Sequence, residues 1–198
     1  MKHTVLNCVV LMLILSLALP VFALAESDQP LTRMETIEGA QGEKEEIETT
    51  YFVSDKGYAF WYDASIIMPV LDIETTESSV DLFCPQPENP LDVSMAINVV
   101  PASEDVSVEE EMALIQAAMV EEGFDRVIPI TMDDKFNDFA ASEGCFGMNA
   151  ENQLRIQYVL ADENGVTYDI AITFPVEVEE SVGLRIEHMV LTSFEVIQ

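Results

Sequence analysis

From residue 50 onward the chain is dominated by short runs in which apolar and polar residues alternate. Tyr51-Phe52-Val53 and Tyr58 to Tyr62 are two β-prone runs separated by Ser54-Asp55-Lys56-Gly57, a turn whose glycine accepts a positive φ. Further short strands are expected over residues 66–70 and 80–83. Between Asp92 and Val100, the residues Val93, Met95, Ile97 and Val99 fall on one face, with Ser94, Ala96 and Asn98 on the other. That is the period of a sheet with one buried face. Strands are also expected over residues 126–132 and 139–148. The clearest hairpin follows them. Leu154, Ile156, Tyr158 and Leu160 alternate with polar residues, Asp162-Glu163-Asn164-Gly165 turns, and Val166, Tyr168, Ile170, Ile172 and Phe174 alternate back.

Two segments change period. Ser107-Val108-Glu109-Glu110 has the spacing of a capping box, and Val108, Met112, Ile115 and Met119 then form one helical stripe that Gly123 closes. Val178, Val182, Ile186 and Met189 mark a second helix, with Gly183 as a weak point in its interior. The order of strands, helix, strands, helix predicts an α+β fold: an antiparallel sheet flanked by two helices.

The N-terminal stretch reads differently. A short basic start, Met1-Lys2-His3, leads into an apolar run over residues 5–19, then Pro20 and the small-residue site Ala23-Leu24-Ala25. This predicts a secretory signal over residues 1–25 and a secreted or extracytoplasmic protein. The apolar run falls short of the ~20 residues that span a bilayer, so no stable membrane anchor is expected after cleavage. Residues 26–49 hold eight acids, two bases and no aromatic residue, which predicts a solvated, disordered linker ahead of a single domain over residues 50–198.

Charge narrows the function. The chain has 37 Asp and Glu against 8 Lys and Arg, a net charge of −29. Such a surface repels phosphate and excludes nucleic-acid binding through a basic face. It suits a basic protein partner instead. Past the signal, His188 is the single histidine, which leaves Ser and Cys nucleophiles short of their usual base. A Cys145–His188 dyad would need the two side chains to meet across the fold. The Cys-x-x-Cys and phosphate-loop motifs are absent as well.

Carboxylates are the one abundant functional group. The acidic runs offer Asp133, Asp134, Asp162 and Glu163 as candidate ligands for calcium, a hard cation that takes six to eight oxygens. No other cofactor is expected. A carboxylate-dependent hydrolase is a further alternative in so acidic a chain. Cys84 and Cys145 either pair, closing a loop of about 60 residues that would stabilise by about 4 kcal/mol, or remain two free thiols. Trp61 points away from Tyr58, Phe60 and Tyr62, and so lies either under a helix or outside as a recognition residue.

The run Gly57-Tyr58-Ala59-Phe60-Trp61-Tyr62-Asp63 resembles the opening strand of the PsbP-like family, of the type G-[FY]-[ST]-[FIL]-x-[YF]-P. Asp63 stands where that family usually has Pro, and the Trp expected a few residues later is missing. The resemblance implies an α/β/α sandwich, a non-catalytic accessory role and no transferable catalytic set. The function expected from the sequence is therefore an exported acidic interaction domain. Divalent-cation binding and carboxylate hydrolysis are the alternatives.

Overall fold

The computed structural model describes residues 30–38, 44–70, 79–89, 91–102, 107–131, 139–178 and 182–197. The expected signal over residues 1–25 lies outside them. Eleven strands are described: β1 (Thr32–Glu38), β2 (Lys44–Val53), β3 (Tyr58–Tyr62), β4 (Ile67–Pro69), β5 (Val80–Pro85), β6 (Ser94–Val100), β7 (Phe124–Ile130), β8 (Ala141–Asn149), β9 (Gln153–Ala161), β10 (Thr167–Pro175) and β11 (Glu195–Val196). Two helices join them, α1 (Val108–Glu121) and α2 (Leu184–Ser193).

The strands form two antiparallel sheets. The larger has seven strands in the order β4-β5-β6-β10-β9-β8-β7, and the smaller has four in the order β1-β2-β3-β11. The expectation of one sheet flanked by two helices is therefore corrected. One face of the large sheet is covered mainly by the small sheet, and α2 belongs to that same layer. Aromatic residues explain why a sheet can replace a helix there. Phe52, Tyr58, Phe60 and Tyr62 point inward from β2 and β3 onto Phe83 of β5 and Tyr168 of β10. Phe52 and Phe83 meet edge-on at 5.0 Å between ring centres, and Tyr58 stacks on Phe194 at 5.1 Å. Such pairs add to the ~1.5–3 kcal/mol of each buried large side chain.

The first two strands correct a second expectation. Residues 32–38 and 44–49 fall in the segment read as a linker, yet they form β1 and most of β2. Their sparse apolar residues gave no burial signal because β1 is an edge strand. Thr32, Arg33, Met34 and Thr36 are all exposed, and the strand is held through its backbone ladder to β2.

Helix α2 lies along the other edge of the small sheet. The Trp61 amide donates to Ser193 Oγ at 2.8 Å, and that hydroxyl donates to the Met189 carbonyl at 2.7 Å. A serine thus joins a strand edge to a helix. Val182, Ile186, Val190 and Phe194 enter the same core as Tyr58 and Ile170. Gly183 is no weak point: it precedes α2, and a Cβ there would run into the Phe174 ring.

The opposite face of the large sheet carries α1 over β7, β8 and β9. Its start is the capping box that the sequence predicts, with Ser107 Oγ accepting from Glu110 N at 3.2 Å and Glu110 Oε2 accepting from Ser107 N at 3.1 Å. Val108, Met112 and Met119 pack there on Cys145, Val159 and Ala161. At the far end Arg155 donates to Glu122 at 2.6 Å, a cation placed where the helix dipole favours one.

One carboxylate ties the two sheets. Asp81 of β5 accepts from Ser54 Oγ at 2.5 Å, from Lys56 Nζ at 2.7 Å and from the Tyr58 hydroxyl. Replacing it by alanine removes one acceptor from three donors at a partly buried joint and leaves Lys56 with Asp55 alone. Asp81→Ala is expected to cost about 2–4 kcal/mol in urea unfolding. Gly183→Ala should also destabilise, since the Phe174 ring has to move for the methyl to fit.

Candidate aromatic recognition surface

The outer face of the small sheet brings one side chain from each of its strands into a row: Arg33 of β1, Tyr51 of β2, Trp61 of β3 and Glu195 of β11. The order of strands sets this row. Tyr51 lies directly opposite Trp61 in the β2–β3 ladder, and Glu195 lies opposite Ala59, one diagonal step from Trp61. Tyr51 and Trp61 are half-buried, with ring centres 4.9 Å apart. The Arg33 guanidinium lies over the Trp61 ring, its carbon 4.0 Å from the centre. Arg33 also pairs with Glu35 on its own strand.

The Tyr51 hydroxyl donates to Glu195, and that bond, with lesser help from burial, raises the phenol's pKa above its ordinary value. Beside the row, Val53 is 55% exposed. The other end of the same face is closed, because Arg185 of α2 reaches Glu45 at 3.5 Å and Asp63 at 3.6 Å. Trp61 thus lies half-buried on the outer face of the small sheet, under the Arg33 side chain. The arrangement is an aromatic platform bordered by Glu35 and Glu195 with a cation already resting on it. A ring face attracts cations through its quadrupole, most strongly for tryptophan.

The other candidates separate. Asp133 and Asp134 lie outside the described residues. Asp162 is committed to the β9–β10 turn, where its Oδ1 accepts from the amides of Asn164 at 2.8 Å and Val166 at 2.9 Å. Glu163, beside it, is exposed. Among the described residues no three His, Cys, Asp or Glu side chains gather as metal ligands would.

Cys84 and Cys145 are both free. They sit on β5 and β8 with three strands between them, about 19 Å at the usual strand spacing, far beyond the ~7 Å limit for a disulfide. Cys145 is buried beneath α1, where burial pushes its thiol up to about 11, and its Sγ lies 3.7 Å from Met119 Sδ. His188 is exposed on α2, in the layer across the large sheet, so the two do not form a dyad. A cleft of about 210 Å³ at the start of α1, lined by Ser107, Glu109, Ser142 and Glu143, is smaller than the ~300–1,000 Å³ typical of small-molecule sites.

One functional group escaped the sequence reading. Asp169 alternates as a solvent-facing residue of β10 should, yet it is 7% exposed. Its Oδ2 accepts from Asn98 Nδ2 at 3.5 Å, and its Oδ1 meets no donor among the described residues. Burial first, and the nearby Glu111 carboxylate second, push its pKa up to about 7 against the pull of the Asn98 bond. No signal in the strand's alternation marks this position, because the side chain that charges its surroundings comes from α1.

The sequence matches no family model and no curated protein.

Asp169 sets a pH dependence. An unfolded aspartate titrates near ~3.9, and the folded group near about 7. Between those values the folded chain holds a proton that the unfolded chain has released, so stability falls as pH rises through the window. The contribution is complete below it and lost above it. Asp169→Asn should therefore melt higher than the parent at about pH 8, by roughly 2–4 °C for each kcal/mol recovered, with the gain vanishing at about pH 4. A difference that does not change with pH would show that Asp169 is not the responsible group.

Proposed function

We propose that this chain is an exported, non-catalytic interaction domain that recognises cationic segments of a protein partner through the Trp61 platform. The observation that carries this reading is the guanidinium lying 4.0 Å over the chain's single tryptophan. It is an example, inside the molecule, of the contact that a partner's arginine or lysine would make. Tyr51 widens the apolar area, while Glu35 and Glu195 supply charges of the right sign at its border.

The net charge of −29 supports the same reading at longer range, since it speeds the approach of basic segments and turns acidic ones away. The signal-like N-terminus supports an encounter outside the cytoplasm. A flat surface with one central tryptophan and a polar border has the make-up of a protein-binding patch, in which a few anchors carry most of the energy.

The test is fluorescence anisotropy with labelled oligoarginine and oligoglutamate peptides. Oligoarginine should bind and oligoglutamate should not. Trp61→Ala should weaken oligoarginine binding by about 10–30-fold, the cost of losing a central tryptophan anchor. Equal binding by parent and Trp61→Ala would overturn the assignment of the surface.

A further inference from the structure

The cation on the platform belongs to the protein itself, and the strand that delivers it is an edge strand of the small sheet. β1 pairs with β2 from Thr32 to Glu38, and the Tyr51 amide extends the ladder by donating to the Leu31 carbonyl at 2.9 Å. Thr49 Oγ1 donates to the Arg33 carbonyl at 3.3 Å. Among the described residues, no β1 side chain enters either hydrophobic cluster. Leu31 and Met34 are 61% and 62% exposed. Across the ladder, Arg33 faces Thr49, but its side chain leans diagonally past β2 to cover Trp61 on the strand beyond.

We propose that Arg33 is a built-in competitor: it occupies the Trp61 ring in the free protein and is displaced by the arginine or lysine of an incoming basic segment. This rests on the reading of the Trp61 surface given above. The two contacts are alternatives because one ring face accommodates one cation at van der Waals distance. The displaced guanidinium loses little, since Arg33 is exposed and keeps Glu35 as a partner on its own strand. The self-contact therefore sets a threshold. A segment has to offer more than one cation, or a cation with neighbouring contacts to Tyr51, Val53 or Glu195, to win the ring. The acidic surface attracts any base, whereas the occupied ring selects among those attracted.

The experiment compares the parent, Arg33→Ala, Arg33→Lys, Trp61→Ala and the double variant Arg33→Ala/Trp61→Ala, with labelled oligoarginine as probe. Removing a weak, exposed cation–π competitor should tighten binding by about 2–5-fold. Lys44→Ala removes the same charge at the exposed start of β2 and controls for the general change in attraction. Arg33→Ala should bind more tightly than Lys44→Ala, Arg33→Lys should bind like the parent, and the gain should disappear in the double variant. In the absence of peptide, the emission of the single tryptophan should also change on Arg33→Ala and remain unchanged on Lys44→Ala.

Arg33→Ala binding that only equals Lys44→Ala, while Trp61→Ala still weakens the parent, would overturn the competitor and leave the recognition surface standing. Binding unaffected by Trp61→Ala in both backgrounds would overturn the surface itself. Melting temperatures of all variants accompany the titrations, and Arg33→Ala should melt close to the parent because its side chain is exposed.

Discussion

A chain with 37 acids and 8 bases repels itself, and four of its cations offset that repulsion where elements meet. Lys56 reaches Asp81 and joins the small sheet to the large one. Arg155 reaches Glu122 and joins the large sheet to α1. Arg185 lies between Glu45 and Asp63 and joins α2 to the small sheet. Arg33 joins β1 to the Trp61 ring on β3. Burial penalises the Lys56 ammonium, but Asp81 and Asp55 outweigh that penalty and hold its pKa above the ordinary value. Four of the eight bases thus stand between two elements, and of these four only the cation on Trp61 sits at an exposed joint, while Lys44 and Arg126 are exposed.

The mismatch in sheet width accounts for the remaining architecture. Seven strand axes span about 29 Å, whereas β1 to β3 span about 10 Å, and a helix beside them adds about 10 Å. The small sheet alone could not cover the shared face, so α2 is drawn into its layer instead of crossing to the opposite side. Even so, the cover falls short at the β7 and β8 edge. Ile128 and Met148 point to that face from neighbouring strands and stay 45% and 40% exposed.

Much of this was legible in residue order. The alternations at residues 92–100 and 154–174 correspond to β6, β9 and β10, and the Ser107–Glu110 spacing marks the start of α1, because these signals are local. Three features were hidden because they depend on partners far along the chain. β1 needs only a ladder to β2, so its acidic, exposed residues resemble a linker. The second sheet replaces a helix as cover because of where Phe83 and Tyr168 meet Phe52 and Tyr58, which no periodicity reports. Asp169 reads as a surface residue of its strand, and its burial comes from packing elsewhere in the fold. For the candidate site, the alternation of β3 did place Trp61 opposite its aromatic neighbours. The Arg33 that covers it came from the segment with the least apparent structure.

The pairing of β11 with β3 joins residues 195 and 196 to 59 and 58, so the edge of the small sheet is completed by the far end of the chain. Ser193, two residues earlier, takes the Trp61 amide. Everything needed for β2 and β3 to pair is present once residues 44–62 exist, but the free side of β3 waits for Ser193 and for residues 195 and 196. Contacts of such long sequence separation form late, after the loop-closure entropy of the intervening chain has been met. Until then, the strand that bears the tryptophan presents an unpaired edge.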